Sequence, residues 1–139
     1  MENKENMQEV HDFIKECGFY FIATSVDGQS FVRPFSSLEI INDRLYVMTG
    51  KIKDVYKQLA ENPKFELVAM KKNCSMWMRV SGKLLDDSDI EVQREYLKRN
   101  PQFANRYQPG DGNMAMLYIM EGKARFCTFN GENEREITF

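Results

Sequence analysis

The residues best equipped for chemistry lie in the run Tyr46-Val47-Met48-Thr49-Gly50-Lys51-Ile52-Lys53, where a strand-like segment gives way to a helix-like one. A helix N-terminus carries partial positive charge and favours acids, so lysines there are unfavourable by roughly a few tenths of a kcal/mol unless an anion joins them. First-turn N–H groups, the Thr49 hydroxyl and the ammonium groups of Lys51 and Lys53 together suit a phosphate. The competing reading is that both lysines are solvated surface charges, because the run is neither a Walker nor a dinucleotide glycine motif.

Two further groups carry chemical potential. In Val32-Arg33-Pro34-Phe35-Ser36 a proline interrupts a strand-like run, which places that strand at an edge or a bulge. Backbone groups released there, beside Arg33, can read the edge of a planar heterocycle or a phosphate; an ordinary edge-strand proline is the alternative. Trp77 and Arg79 share one face of their strand while Met76, Met78 and Val80 share the other. An aromatic beside a cation suits a flat ligand or a subunit interface, and equally a tryptophan half-buried at the margin of a core.

The elements that must position these residues follow from periodicity. Met7, Val10, Phe13, Ile14 and Cys17 recur at helical steps and Gly18 ends that helix. Residues 19–26 and 30–41 read as strands around Asp27-Gly28, and residues 44–49 as a third strand after Asn42-Asp43. Ile52, Val55, Tyr56, Leu59 and Ala60 form an amphipathic helix stopped by Asn62-Pro63. Strands follow over 65–70 and 76–85. Ser88-Asp89-Ile90-Glu91 opens a helix running to Asn100-Pro101. Two strands over 115–120 and 123–129, joined at Glu121-Gly122, and a short one over 136–139 complete six or seven strands with three helices. Short strands in meander order with inserted helices give a mainly β fold, an antiparallel barrel over residues 1–139 as one domain. So small a barrel fills its own interior, which leaves a ligand the outside or a subunit boundary.

Composition removes several function classes. The chain has 139 residues, with 19 Lys and Arg against 21 Asp and Glu, so no basic field exists to hold nucleic acid, Lys71-Lys72 notwithstanding. Cys17, Cys74 and Cys127 form no C-x-x-C pair, and one histidine, His11, is too few for most triads and metal sites. The methionines of 70–78 and 114–120 suit core packing better than metal ligation. No apolar stretch approaches membrane-spanning length and the start is polar, so no metal and no membrane partner are expected, and the location expected is cytoplasmic.

In order along the chain, Arg33-Pro34-Phe35, Leu45-Tyr46-Val47-Met48-Thr49, Lys53-Asp54-Val55-Tyr56-Lys57-Gln58-Leu59 with Asn62-Pro63, and Trp77-Met78-Arg79-Val80-Ser81-Gly82 resemble the FMN-binding split-barrel family related to pyridoxamine 5'-phosphate oxidase. Tyr107-Gln108-Pro109-Gly110-Asp111 and Glu121-Gly122-Lys123-Ala124-Arg125-Phe126 resemble the closing segments of its short bacterial members. The resemblance implies a six-stranded antiparallel split barrel, a homodimer and two FMN sites at the subunit interface. It implies that Arg33, Pro34, Phe35 and Ser36 border the flavin ring or ribityl chain, that Met48, Thr49, Gly50 and Lys51 approach ring edge and phosphate, and that Lys53 pairs with the phosphate. Trp77 and Arg79 would reach the partner's flavin.

The activity implied is an FMN-dependent oxidoreductase acting on an unidentified small molecule, with NADH or NADPH as candidate donor; the alternative is a flavin-binding sensor or store without turnover. The cofactor carries the electron chemistry, so one histidine suffices. Pyridoxamine phosphate oxidases proper end in an Arg-x-His element, whereas this sequence ends Glu134-Arg135-Glu136-Ile137-Thr138-Phe139, which argues against vitamin B6 oxidation. The short nitroimidazole-reductase-like group matches better in size, although some of its members place a histidine at the flavin and His11 sits in the opening helix. Haem-utilising relatives need segments and histidines that this sequence lacks.

Overall fold

A computed structural model describes residues 2–139. The chain opens with α1 (Glu2–Cys17), which buries Val10, Ile14 and Cys17 on one stripe, as the helical spacing requires. It continues through β1 (Tyr20–Val26), β2 (Gln29–Phe35), β3 (Glu39–Ile41), β4 (Arg44–Gly50), α2 (Asp54–Glu61), β5 (Lys64–Met70) and β6 (Trp77–Asp86). Helix α3 (Ile90–Arg99), a 3-10 turn (Pro101–Phe103), β7 (Met114–Cys127) and β8 (Arg135–Thr138) complete it. All strand pairs are antiparallel, in the order β2-β1-β5-β6-β7-β4-β3, with β8 on the second half of β7. This is the mainly β split-barrel class that the sequence indicates, with eight strands where the resemblance implied six.

The expected 30–41 strand is two strands. β2 pairs with β1 and β3 with β4, at opposite ends of the sheet order, and residues 36–38 cross between them. Pro34 therefore lies on an edge strand, opposite Phe21, where its missing N–H removes no needed ladder bond. The expected pair of strands over 115–129 is instead one. Glu121 takes a left-handed φ of 56°, and Gly82 opposite it has φ 154°, so the ladder bulges and continues. A Cβ on Gly82 would stand 2.8 Å from the Met120 carbonyl oxygen, which reserves that position for glycine.

Two helix starts also differ. α2 begins at Asp54, leaving Ile52 74% exposed in the preceding turn rather than on the buried face. α3 is capped by Asp89, whose Oδ1 accepts from the Glu91 and Val92 backbone N–H groups at 2.8 and 3.3 Å. No helix among the described residues is long and apolar enough to cross a membrane.

The interior divides into two packed groups. One, beneath α1 and α2, contains Ile14, Tyr20, Ile22, Leu67, Val80 and Ala124 among its members. The other, beneath α3, contains Tyr46, Met48, Tyr96, Tyr107, Met114 and Met116. Ser37 is fastened by a phenol from each: its carbonyl accepts from the Tyr20 hydroxyl at 2.5 Å, and its Oγ lies 2.6 Å from the Tyr96 hydroxyl. Burial pushes both phenols well above the ordinary range.

Candidate functional site

Where the two groups meet, the surface opens into a cleft of about 240 Å³. The end of β2 supplies Arg33, Pro34 and Phe35, the crossing link Ser36 and Ser37, and β4 Met48 and Thr49. The start of α2 adds Lys53 and Val55, the turn after α3 adds Phe103, Arg106 and Tyr107, and Phe19 enters from the residue before β1. A second groove, of about 520 Å³, shares Arg33, Pro34, Lys53 and Val55 and runs on along Gln58 and Asp54. The cleft alone is smaller than the roughly 300 Å³ at which cofactor pockets begin, and the groove extends it into that range.

Arg33 is held from behind. Its Nη1 donates to the Thr24 hydroxyl at 2.9 Å and the Ile22 carbonyl at 3.2 Å, and its Nη2 donates to Gln58 Oε1. Thr24 also donates to Gln58, at 2.7 Å. All three acceptors are neutral, so the guanidinium is oriented without being neutralised, and its burial lowers its pKa against the opposing field of Asp54. Lys53 occupies the N-cap position of α2, where no side chain caps the first turn. The N-terminal dipole end of α2 and the Lys53 ammonium therefore act from the same edge of the cleft.

Glycine at position 50 has a steric reason. A Cβ there would lie 3.0 Å from the Tyr107 hydroxyl and 3.2 Å from Asn113 Nδ2. Asn113 in turn ties down the lysine turn, its carbonyl accepting from Lys51 N at 2.7 Å and its Oδ1 from Ile52 N at 3.2 Å. Thr49 is 6% exposed and pairs through β4 with Ala115.

The cleft brings together Arg33, Pro34, Phe35, Ser36, Met48, Thr49 and Lys53, seven of the residues picked from sequence. Gly50 lies directly beneath Tyr107, and Lys51 borders the site through its backbone while its side chain is outside the lining. Trp77 and Arg79 lie elsewhere, on the outer face of β6. The Trp77 ring packs 4.7 Å from Phe129, and Arg79 Nε donates to Glu66 Oε2 at 2.8 Å.

Phe19, Ser37, Val55, Phe103, Arg106 and Tyr107 are lining residues that sequence reasoning did not pick as site residues. For Arg106 a signal existed: it is the only charged residue between positions 100 and 110.

The charge arrangement is selective. Of the chain's arginines, Arg44, Arg79, Arg94, Arg99, Arg125 and Arg135 each meet a carboxylate. The remaining two, Arg33 and Arg106, make no ion pair among the described residues, and both line the cleft. Its lining contains no aspartate or glutamate. A site with cations, aromatic and thioether walls and no carboxylate is built for a flat, apolar molecule bearing negative charge.

The comparisons with known proteins agree with this geometry. A sequence profile described as pyridoxamine 5'-phosphate oxidase matches residues 7–120. The chain is similar to a solved NimC/NimA family protein from Clostridium acetobutylicum, at 30% identity and TM-score 0.92, covering 99% of this chain and 96% of that one. The General Stress Protein 26 of Bacillus anthracis shares the fold at 14% identity and TM-score 0.75, with 100% of each chain covered. A protein from Nostoc punctiforme described as pyridoxamine 5'-phosphate oxidase-related and FMN-binding shares it at 16% identity and TM-score 0.64, covering 95% and 86%. No curated protein matches in sequence. With the profile spanning most of the chain and a relative of the same fold at 30% identity, this protein belongs to the pyridoxamine 5'-phosphate oxidase family.

Proposed function

We propose that the protein binds FMN in this cleft and serves as a small FMN-dependent oxidoreductase for a compact substrate, taking electrons from NADH or NADPH. The observation that carries the reading is the cleft's uncompensated charge beside apolar walls: Arg33 and Lys53 without a carboxylate in the lining, next to Phe35, Met48 and Val55. FMN presents the matching pair of features, a flat apolar ring system and a phosphate. Lys53 and the first turn of α2 would hold the phosphate, with Arg33 adding a fixed charge that needs no reorganisation. Pro34, Phe35 and Met48 would pack on the ring system. A bound flavin supplies hydride and single-electron chemistry, while the chain contributes orientation and electrostatics.

The cleft residues include no histidine, cysteine or carboxylate. That favours a reaction in which protons come from solvent, and it is also what a flavin store without turnover would show. Purified protein loaded with FMN, desalted and then treated anaerobically with NADH or NADPH separates the two. Retained flavin that bleaches with a nicotinamide supports the oxidoreductase; retained flavin that never bleaches supports the store. Loss of all flavin on desalting overturns both.

The reading includes a homodimer. β2, β1 and β5 turn an apolar stripe outward, with Pro34 opposite Phe21 and Phe21 opposite Val68. Phe21, Val32 and Val68 are 46%, 68% and 37% exposed, and the stripe adjoins the cleft at Pro34. A second copy covering it would shield the exposed side of the flavin, and Trp77 and Arg79 would reach a flavin only from such a partner. Sedimentation analysis of the FMN-loaded protein tests this, and a monomer that holds FMN tightly would overturn it.

A further inference from the structure

We propose that Arg106 forms a carboxylate-recognition point for a second ligand in the cleft, a flat aromatic or heteroaromatic carboxylate seated against Phe19 and Phe103. The inference rests on the flavin reading, because it assigns Arg106 to the substrate and not to the cofactor.

The first support is the division of the cleft. Arg33, Pro34, Lys53 and Val55 line both the cleft and the adjoining groove, so they stand at the junction of the two. Phe19, Phe103, Arg106 and Tyr107 line the cleft and not the groove. The α2 N-terminus and Lys53, the phosphate-suited pair, thus stand at the junction with the groove, and Arg106 is a further cation that belongs to the cleft alone.

The second support is that Arg106 is unengaged on a firmly held backbone. It makes no ion pair among the described residues, and no acid occurs in the stretch from 96 to 110 to supply one locally. The backbone N–H groups of Arg106 and Tyr107 both donate to the Phe103 carbonyl, at 3.0 and 3.1 Å. Gln108 Nε2 donates to the Ala104 carbonyl at 3.1 Å, and Gly110 N donates to Gln93 Oε1 at 2.7 Å. Gln93 itself is 5% exposed, so the turn is anchored to the interior. A guanidinium carried on a preorganised turn is suited to bidentate pairing with a planar carboxylate, and aromatic neighbours favour a ring attached to it.

The test is calorimetric titration of FMN-loaded and flavin-free protein with benzoate and with benzamide, which share a ring and differ in charge. The wild type is expected to prefer benzoate by about tenfold or more, the scale of one charge-assisted hydrogen-bonded pair. Arg106→Gln should erase the preference and leave FMN affinity unchanged, and Arg106→Lys should restore only part of it because the fork geometry is lost. Equal binding of the two probes by the wild type, or a preference that survives in Arg106→Gln, overturns the proposal. A fall in FMN affinity in Arg106→Gln matching the fall for Lys53→Ala also overturns it, by assigning Arg106 to the phosphate. Should the wild type not retain FMN, the cofactor reading fails by itself, and the benzoate preference of flavin-free protein still decides the role of Arg106.

Discussion

Arg79 and Arg33 are the same residue type on one sheet, with β1 and β5 between their strands, and they are treated in opposite ways. Arg79 lies on the outer face among alternating charges, bonded to Glu66, with Lys123, Glu136, Arg125 and Glu134 paired off close by. Arg33 points the other way and is bonded only to neutral oxygens. On the outer face each of these charges is met by an opposite neighbour; in the cleft Arg33 is oriented by neutral acceptors and left uncancelled. Exposed pairs contribute little to stability, about 0 to 1 kcal/mol, so the outer face can tolerate changes in charge. An oriented, uncancelled cation such as Arg33 is suited to an arriving anion.

That contrast can be broken most severely at Arg33. Arg33→Ala removes the guanidinium that donates to Thr24, Gln58 and the Ile22 carbonyl, and is expected to cost about 2 to 3 kcal/mol of stability as well as flavin affinity, read by denaturant unfolding and FMN titration. Lys53→Ala removes an exposed ammonium with no internal partner, so FMN affinity should fall by about 1.5 to 3 kcal/mol while the unfolding midpoint stays put. Unchanged FMN affinity there would return Lys53 to the solvated surface.

Arg79→Ala is expected to change stability by less than about 1 kcal/mol. In the same variant, a drop in FMN affinity that appears only at dimer-forming concentrations would show that the outer face serves the partner's site.

The smallest effect concerns Tyr56, whose phenol is pushed up to about 12 by its hydrogen bond to the Asp86 carboxylate and by burial. Because the folded value lies above the unfolded value of about 10, this contribution is intact below pH ~10 and is lost as pH rises through ~12. Tyr56→Phe should therefore lose slightly less stability than wild type on going from pH ~9 to pH ~12, measured by denaturant midpoints.

Much of the fold was legible because its signals are local. The alternation in β6 and the helical stripes of α1 and α2 depend on neighbours a few residues away. The errors fall where local signals were outweighed by pairing. Glu121-Gly122 carries turn chemistry, yet Gly82 across the ladder absorbs the bulge and β7 continues. Residues 30–41 carry continuous strand propensity, yet the two ends of the run face different partners.

The site divides in the same way. Arg33 through Ser36, and Met48, Thr49 and Lys53, line the cleft as near neighbours in sequence, which is what made each cluster readable. Phe19, Phe103 and Arg106 join the cleft only through the folding of distant segments. Arg106 nonetheless stood out as a lone charge in a neutral stretch, and the absence of a local partner was the clue to weigh.

The crossing at Ser36-Ser37-Leu38 has a mechanical consequence. β2 and β3 are the two ends of the sheet order, and what joins them is three residues of chain rather than a ladder of hydrogen bonds. The link is held by the two phenols that grip Ser37 and by the buried Leu38. Because Ser36 and Ser37 line the cleft, amide exchange at 36–38 is expected to gauge local opening beside it without unzipping of any strand.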